Sequence, residues 1–192
     1  LATRHMQPLN RPDLEIVSIM GGVSRGSDVN GYEIATRLAD LCNAEHSFFT
    51  APLYAGSAES QKLFLQQDVI KDMLTKMQSC GAVGLATGDL DSSLLVRDAI
   101  PSDVTATELL ALGGVGDIMG QVLDADGELI DHPINDRVIG LSLDDLNKIE
   151  NVILAAGGLQ KVPVIAAALK RGFVDTLVTD ENTAMALLDK TA

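Results

Sequence analysis

The sequence has 192 residues, 46% of them hydrophobic, which is enough for one sizeable core and leads us to expect a single compact domain spanning residues 1–192. Aromatic residues make up only 3% and tryptophan is absent, so Val, Ile, Leu, Ala and Met must fill that core, which favours helices layered on a sheet over an aromatic-rich β sandwich. A formal charge of −13 opposes binding to a phosphate backbone; Cys42 and Cys80 have neither disulfide-framework nor metal-ligand spacing; and no apolar run approaches the roughly 18 residues of a membrane helix.

The chain opens on Leu1 to Gln7, which reads as the middle of a helix with no cap before it, so a longer parent protein is expected. Glu15 to Met20 is a β-rich apolar run that breaks at Gly21-Gly22, followed by a polar loop. Asn30 and Glu33 stand at capping-box spacing and predict a helix from Asn30 to about Leu41. Glu45 to Ala51 reads as a strand, Ser57 to Met77 as one or two helices with a break near Asp68, and Ala82 to Ala86 as a short strand closed by Thr87-Gly88. The pattern then weakens, with a helical stretch around Ala106 to Leu112 before the glycine cluster Gly113-Gly114-Val115-Gly116. Ile118 to Leu123 and Glu128 to Ile130 read as two strands about the tight turn Asp124 to Gly127, a hairpin-like excursion. Arg137 to Leu141 resumes an apolar strand, and Ser142 with Asp145 caps a short helix. The last third is a strand over Asn151 to Ala156, a Gly157-Gly158 turn, a helix from Lys161 or Val162 to Arg171 ended by Gly172, a strand over Thr176 to Val178, and a helix from Asp180 to Lys190 with Thr179 as N-cap. Strands alternating with helices predict a mostly parallel sheet covered on both faces, whose ligands bind where strands end and helices begin.

Three strand-to-helix turns are glycine-rich: Gly21-Gly22, Gly84 with Gly88, and Gly157-Gly158. Glycine lets backbone approach a ligand and bares the N–H groups of the following helix, although a tight turn alone accounts for any single pair. Lys161 sits where a helix begins, against its dipole by roughly 0.3–1 kcal/mol; a bound anion explains that position, and so does a solvated surface lysine. Asp117 closes the glycine cluster and offers acceptors to sugar hydroxyls, or merely caps a turn. Asn30 and Arg97 have equally plain readings as a cap and a solvated charge. The run Gly114-Val-Gly116-Asp-Ile-Met-Gly120 is one residue too long for a dinucleotide fingerprint, so no nucleotide cofactor is expected. His5, His46 and His132 are scattered and no nucleophile elbow occurs, so neither a catalytic constellation nor a metal site is indicated.

The segments Met20-Gly-Gly to Asn30, Gly114-Val-Gly116-Asp117-Ile118 to Asp124-Ala-Asp126-Gly127, Arg137-Val-Ile-Gly140, Ala155-Ala-Gly157-Gly158-x-x-Lys161 and Leu177-Val-Thr179-Asp180-Glu181-x-Thr183-Ala184 together resemble the SorC/DeoR family of bacterial sugar-responsive transcriptional regulators, over nearly the whole chain. The resemblance implies an α/β fold, a Rossmann-like three-layer domain with a mostly parallel sheet related to ribose-5-phosphate isomerase and glucosamine-6-phosphate deaminase. It implies an effector domain that binds a sugar, polyol or sugar phosphate and does no chemistry on it. It further implies a cytoplasmic homo-oligomer, dimer or tetramer, that meets DNA only through an N-terminal helix-turn-helix domain outside this chain, and no membrane. Carried over by motif, Asp117 and Lys161 line the effector pocket and Asn30 maps to its polar position, with Gly21, Gly22, Gly88, Gly157 and Gly158 as backbone contacts and Arg97 in a region that does not align securely. Two departures bear on the ligand. The family's phosphate-anchoring glycine-rich loop would precede Leu1, and Met20 stands where some phosphate-binding members have arginine, so neutral and phosphorylated effectors both remain open. A sugar-phosphate isomerase or deaminase and a ligand-free oligomerisation module are the other two readings.

Overall fold

A computed structural model describes residues 5–23, 31–93 and 95–191. Strand β1 (Glu15–Val17) is followed by helix α1 (Gly31–Cys42), strand β2 (Glu45–Ser47), helices α2 (Ala58–Leu65) and α3 (Asp68–Gln78), and strands β3 (Val83–Leu85) and β4 (Thr87–Gly88). After a π-helical turn (Leu95–Ala99) come helix α4 (Ala106–Ala111), strands β5 (Gly116–Ile118) and β6 (Gln121–Leu123), a 3-10 turn (Asn135–Arg137) and helix α5 (Leu143–Leu146). Strand β7 (Val152–Ala155), a 3-10 turn (Leu159–Lys161), helix α6 (Val162–Arg171), strand β8 (Thr176–Val178) and helix α7 (Glu181–Thr191) complete the chain.

The strands pair as expected for an α/β domain. β1 lies parallel to β2, and β7 lies between β3 and β8 and parallel to both, while β4, β5 and β6 form a small antiparallel sheet. Alternation along β3 and β7 sends Val83, Leu85, Val152, Leu154 and Ala156 into the main core, where they meet Val162, Val164, Ile165 and Ala168 of α6. Each such aliphatic side chain contributes roughly 1.5–3 kcal/mol by leaving water. On the opposite face of this sheet Gly84, Ile153, Ala155 and Val178 are exposed among the described residues. A second core of Leu53, Leu90, Leu95, Val104, Leu109, Val122, Ile130, Ile134 and Val138 supports the segment between β4 and β5, where the sequence pattern was weakest.

Several local expectations hold for identifiable reasons. Ser142 and Asp145 form a reciprocal capping box at α5, and Gly172 ends α6 in the left-handed conformation (φ 89°). The long helical stretch breaks before Asp68, giving α2 and α3. Others are corrected. The hairpin turns at Met119-Gly120, both with positive φ, as a two-residue loop joining β5 to β6, and Leu129 only bridges Leu123. Val138 and Gly140 make isolated bridges to Tyr54 and Met20 rather than a continuous strand. Helix α7 is capped by Asp180, whose Oδ1 accepts the Thr183 N–H at 2.9 Å, not by Thr179. The predicted cap Asn30 lies outside the described residues.

One side chain completes the far edge of β6 beside the Leu129 bridge. Asn135 accepts the Val122 N–H at 2.8 Å and donates Nδ2 to the Val122 and Ile130 carbonyls at 3.1 and 3.0 Å, acting as a surrogate strand. Asn135→Ala would orphan the buried Val122 N–H, since the Val122 and Ile130 carbonyls keep the Ile130 and His132 N–H groups, and we expect it to cost about 1–3 kcal/mol, measured by denaturant unfolding.

Candidate functional site

The site is built on the contact between α6 and the small antiparallel sheet. β4 and β5 pair so that Gly88 lies opposite Asp117. A Cβ at Gly88 would overlap Oδ1 of Asp117, and one at Gly116 would fall within 2.5 Å of Val164 Cβ on α6 and of the Gly88 carbonyl. Two missing side chains therefore admit both the Asp117 carboxyl and the start of α6 into one small space. Asp117 is 8% exposed, and its Oδ2 accepts the Gly120 N–H at 3.0 Å. Burial pushes its carboxyl up to about 7, against the Gly120 bond and the nearby Lys161 ammonium, which pull it down, while the Asp89 carboxylate adds a smaller upward push.

Lys161 ends the 3-10 turn that leads into α6, its N–H donating to the Gly158 carbonyl at 2.9 Å. Among the described residues its half-buried ammonium has no carboxylate within ion-pair distance, although its charge reaches Asp117. The loop carrying it is clasped by α7: the Gly158 N–H donates to Asp180 Oδ2 at 2.9 Å and to Thr183 Oγ1 at 2.8 Å, and a Cβ at Gly157 would overlap that same carboxylate oxygen.

The structure thus brings Gly88, Asp117 and Lys161 together, with Gly157 and Gly158 as the mount of the lysine. It gives the glycines roles other than those expected. The Gly158 N–H is already bound, and the Gly21 and Gly22 N–H groups donate to the Ile139 and Ala51 carbonyls at 2.9 and 2.8 Å, so none of the three amides is free for a ligand. Gly21 is glycine because the Pro52 carbonyl occupies the place of its side chain. Arg97 is exposed on the π-helical turn and pairs with Asp98 at 3.5 Å. Asn30 lies outside the described residues.

Two features were missed in the sequence. Asp89, beside Gly88, is buried; burial pushes its carboxyl up, but the Ser92 and Asp91 amides and the Ser92 hydroxyl outweigh that and hold it below the usual range, so it keeps its charge next to Asp117. Among the described residues the buried hydroxyls of Ser18, Thr87 and Thr179 have no hydrogen-bond partner, and they follow the carboxyl ends of β1, β3 and β8. A hydroxyl-bearing residue just past a strand was the available signal. Orphaned hydroxyls are costly unless something polar meets them. Cavities of about 440 and 200 Å³ occur elsewhere, and neither is lined by Asp117 or Lys161. Among the described residues, no group of three or more His, Cys, Asp or Glu side chains could hold a metal, and no helix is long and apolar enough to cross a membrane.

The chain is thus an α/β domain that sets a buried carboxyl beside the ammonium at the head of a helix, with buried hydroxyls just past three of its parallel strands. The model of the family described as "Putative sugar-binding domain" matches residues 2–189, and the chain belongs to that family. Its sequence is 30% identical over 191 residues to the erythritol catabolism regulatory protein EryD of Brucella abortus, covering 97% of this chain and 59% of that protein. It is 33% identical over 184 residues to the transcriptional regulator LsrR of Escherichia coli, covering 94% of this chain and 56% of that one. The chain therefore spans little more than half the length of these curated relatives. Its fold matches a DeoR family transcriptional regulator from Listeria monocytogenes (TM-score 0.85, 24% identity, 96% of this chain and 73% of that one). It also matches the full-length sorbitol operon regulator SorC from Klebsiella pneumoniae (TM-score 0.83, 21% identity, 97% of this chain and 62% of that one). The resemblance to SorC/DeoR regulators that the motifs carry is thus upheld.

Two outcomes follow. Because the folded Asp117 carboxyl titrates at about 7 rather than at the ordinary 3.8, folding favours its protonated form, and the stability this gives is lost as pH rises towards 7. Asp117→Asn should therefore stabilise the chain by a few kcal/mol at about pH 8 and much less near pH 5; equal effects at both would show Asp117 ionised in the folded state. Gly21→Ala should lower the melting temperature through its clash with the Pro52 carbonyl and leave ligand affinity in the surviving fold unchanged.

Proposed function

We propose that residues 1–192 are the effector-sensing domain of a sugar-responsive bacterial transcriptional regulator. The domain binds a small carbohydrate without turning it over and acts on DNA through a separate DNA-binding domain of the same protein, in the cytoplasm. The observation that carries this reading is the juxtaposition of buried Asp117 with unpaired Lys161 at the head of α6. The carboxyl serves ring or chain hydroxyls, and Lys161, whose charge adds to the positive end of the helix dipole, serves an oxygen bearing negative charge. Because Asp117 is only partly ionised near neutrality, the pair carries net positive charge in a chain whose formal charge is −13. This balance favours a phosphorylated sugar or polyol over a neutral one. EryD is named for erythritol catabolism and another relative, from Bacillus subtilis, is named a deoxyribonucleoside regulator; the ligand class proposed for this chain is of that carbohydrate kind.

Binding becomes regulation only if the effector prefers one conformation of the protein over another. The clasp of Asp180 and Thr183 on Gly158 supplies a route, since the loop that carries Lys161 moves only with the start of α7. One feature favours a second reading: a buried carboxyl titrating near neutrality is what a sugar-phosphate isomerase would use as its base.

The test is a thermal-shift screen of pentoses, hexoses, tetritols and their phosphates. A phosphorylated ligand should raise the melting temperature in a concentration-dependent way, and Lys161→Ala should weaken its binding roughly 10–100-fold. An unaltered shift in Lys161→Ala removes the lysine from the site. Turnover of pentose or aminohexose phosphates would establish the isomerase or deaminase reading instead.

A further inference from the structure

Tyr54 reaches the turn that supports Asp117. Its hydroxyl donates to the Gly120 carbonyl at 2.6 Å, and the N–H of that same glycine is the one that Asp117 Oδ2 accepts at 3.0 Å. Both turn residues have positive φ, 53° at Met119 and 80° at Gly120. Methionine is uncommon in that conformation, so contacts rather than intrinsic preference hold the turn. A Cβ at Gly120 would lie 3.0 Å from Leu53 Cδ1 and 3.1 Å from the Tyr54 hydroxyl oxygen, which shows how closely the phenol approaches.

The phenol has a firm base and a fixed polarity. Tyr54 bridges Val138, and on either side of it the Leu53 carbonyl accepts the Ile139 N–H and the Ala55 N–H donates to the Arg137 carbonyl, both at 2.8 Å. Burial pushes its hydroxyl well above the ordinary phenol range, the Asp117 charge adds to that and the Arg137 charge opposes it, so the group keeps its proton and remains a donor. The residue after Gly120 is pinned separately, Gln121 donating to the Leu141 carbonyl at 3.1 Å, so a change at Tyr54 stays local to the turn. The second oxygen of Asp117, Oδ1, has no hydrogen-bond partner among the described residues and lies against the bare face of Gly88, near Ser93 Oγ. The two oxygens keep these different surroundings only while the carboxyl holds one orientation.

We propose that Tyr54 is a positioning residue for Asp117: by holding Gly120 it keeps the Gly120 N–H on Oδ2 and leaves Oδ1 turned towards Gly88. That Oδ1 then meets a ligand hydroxyl rests on the effector reading. No ligand enters the test, so either can fail without the other.

The other charges that reach this carboxyl are those of Lys161, from the turn before α6, and Asp89, just after β4, while Arg137 faces the phenol from its 3-10 turn; Tyr54→Phe alters none of them. The test is a carbon-13 NMR titration of the Asp117 carboxyl in the ligand-free chain. Tyr54→Phe removes only the hydroxyl and should raise the midpoint by about one pH unit, because the carboxylate loses its donor. Val104→Ala, in the second core against which Tyr54 packs, should lower the melting temperature and leave the midpoint in place. In the wild type, whether or not Tyr54→Phe folds, the Gly120 amide proton and Tyr54 Cζ should titrate at the Asp117 midpoint, and Asp117→Asn should abolish both movements. A midpoint unchanged or lower in Tyr54→Phe, an equal rise in Val104→Ala, or a Gly120 amide indifferent to Asp117 would overturn the proposal.

Discussion

The approach of helix α6 to the β4–β5 ladder is the constraint from which the rest of the site follows. A side chain at Gly116 would strike Val164 on α6 and one at Gly88 would strike the Asp117 carboxyl, so at Gly116 backbone meets helix directly. That closeness excludes water from Asp117, and the loss of water, more than any neighbouring charge, sets the acidity of its carboxyl. It also fixes Lys161, three residues before Val164, within electrostatic reach of Asp117. A methyl group at Gly116 would push against Val164 on the helix, and one at Gly88 would displace the Asp117 carboxyl itself.

The polar groups around this contact are held in different states by different means. Asp89 keeps its charge because backbone amides of the following turn point at it, which compensates for its burial. Asp117 receives one such amide, from Gly120, and stays poised between neutral and charged. Among the described residues Lys161 has no carboxylate within ion-pair distance. Two acids that differ so much in their backbone support thus lie within electrostatic reach of each other, with the Lys161 charge reaching Asp117.

Much of the fold was legible because its signals are local. The Ser142–Asp145 box, the Gly172 terminus, the break before α3 and the alternating burial of β7 each depend on a few adjacent residues. The hairpin turn was misplaced because Asp124 to Gly127 carries the stronger turn composition, whereas Met119 adopts a positive φ that no composition rule favours for methionine. The Asp180 cap was missed by one residue, since threonine and aspartate are both good caps and only the accepted Thr183 N–H decides between them. At the site, Asp117 and Lys161 were readable as residue types at strand and helix boundaries. The two readings of the glycine pairs could not be separated in sequence, because nothing local reveals whether a bare N–H faces a ligand or the carbonyl of a distant strand, as those of Gly21 and Gly22 do. Asp89 lay in the stretch of weakest periodicity, where support comes from a second core assembled from distant segments.

The double grip of Asp180 and Thr183 on Gly158 has a mechanical meaning. Helix α7 runs eleven residues from that anchor, a rod about 16 Å long hinged at the residue pair that holds the lysine loop. Because Leu187 of the same helix is buried in the main core, the loop that carries Lys161 is tied through Gly158 to the packing of the whole domain.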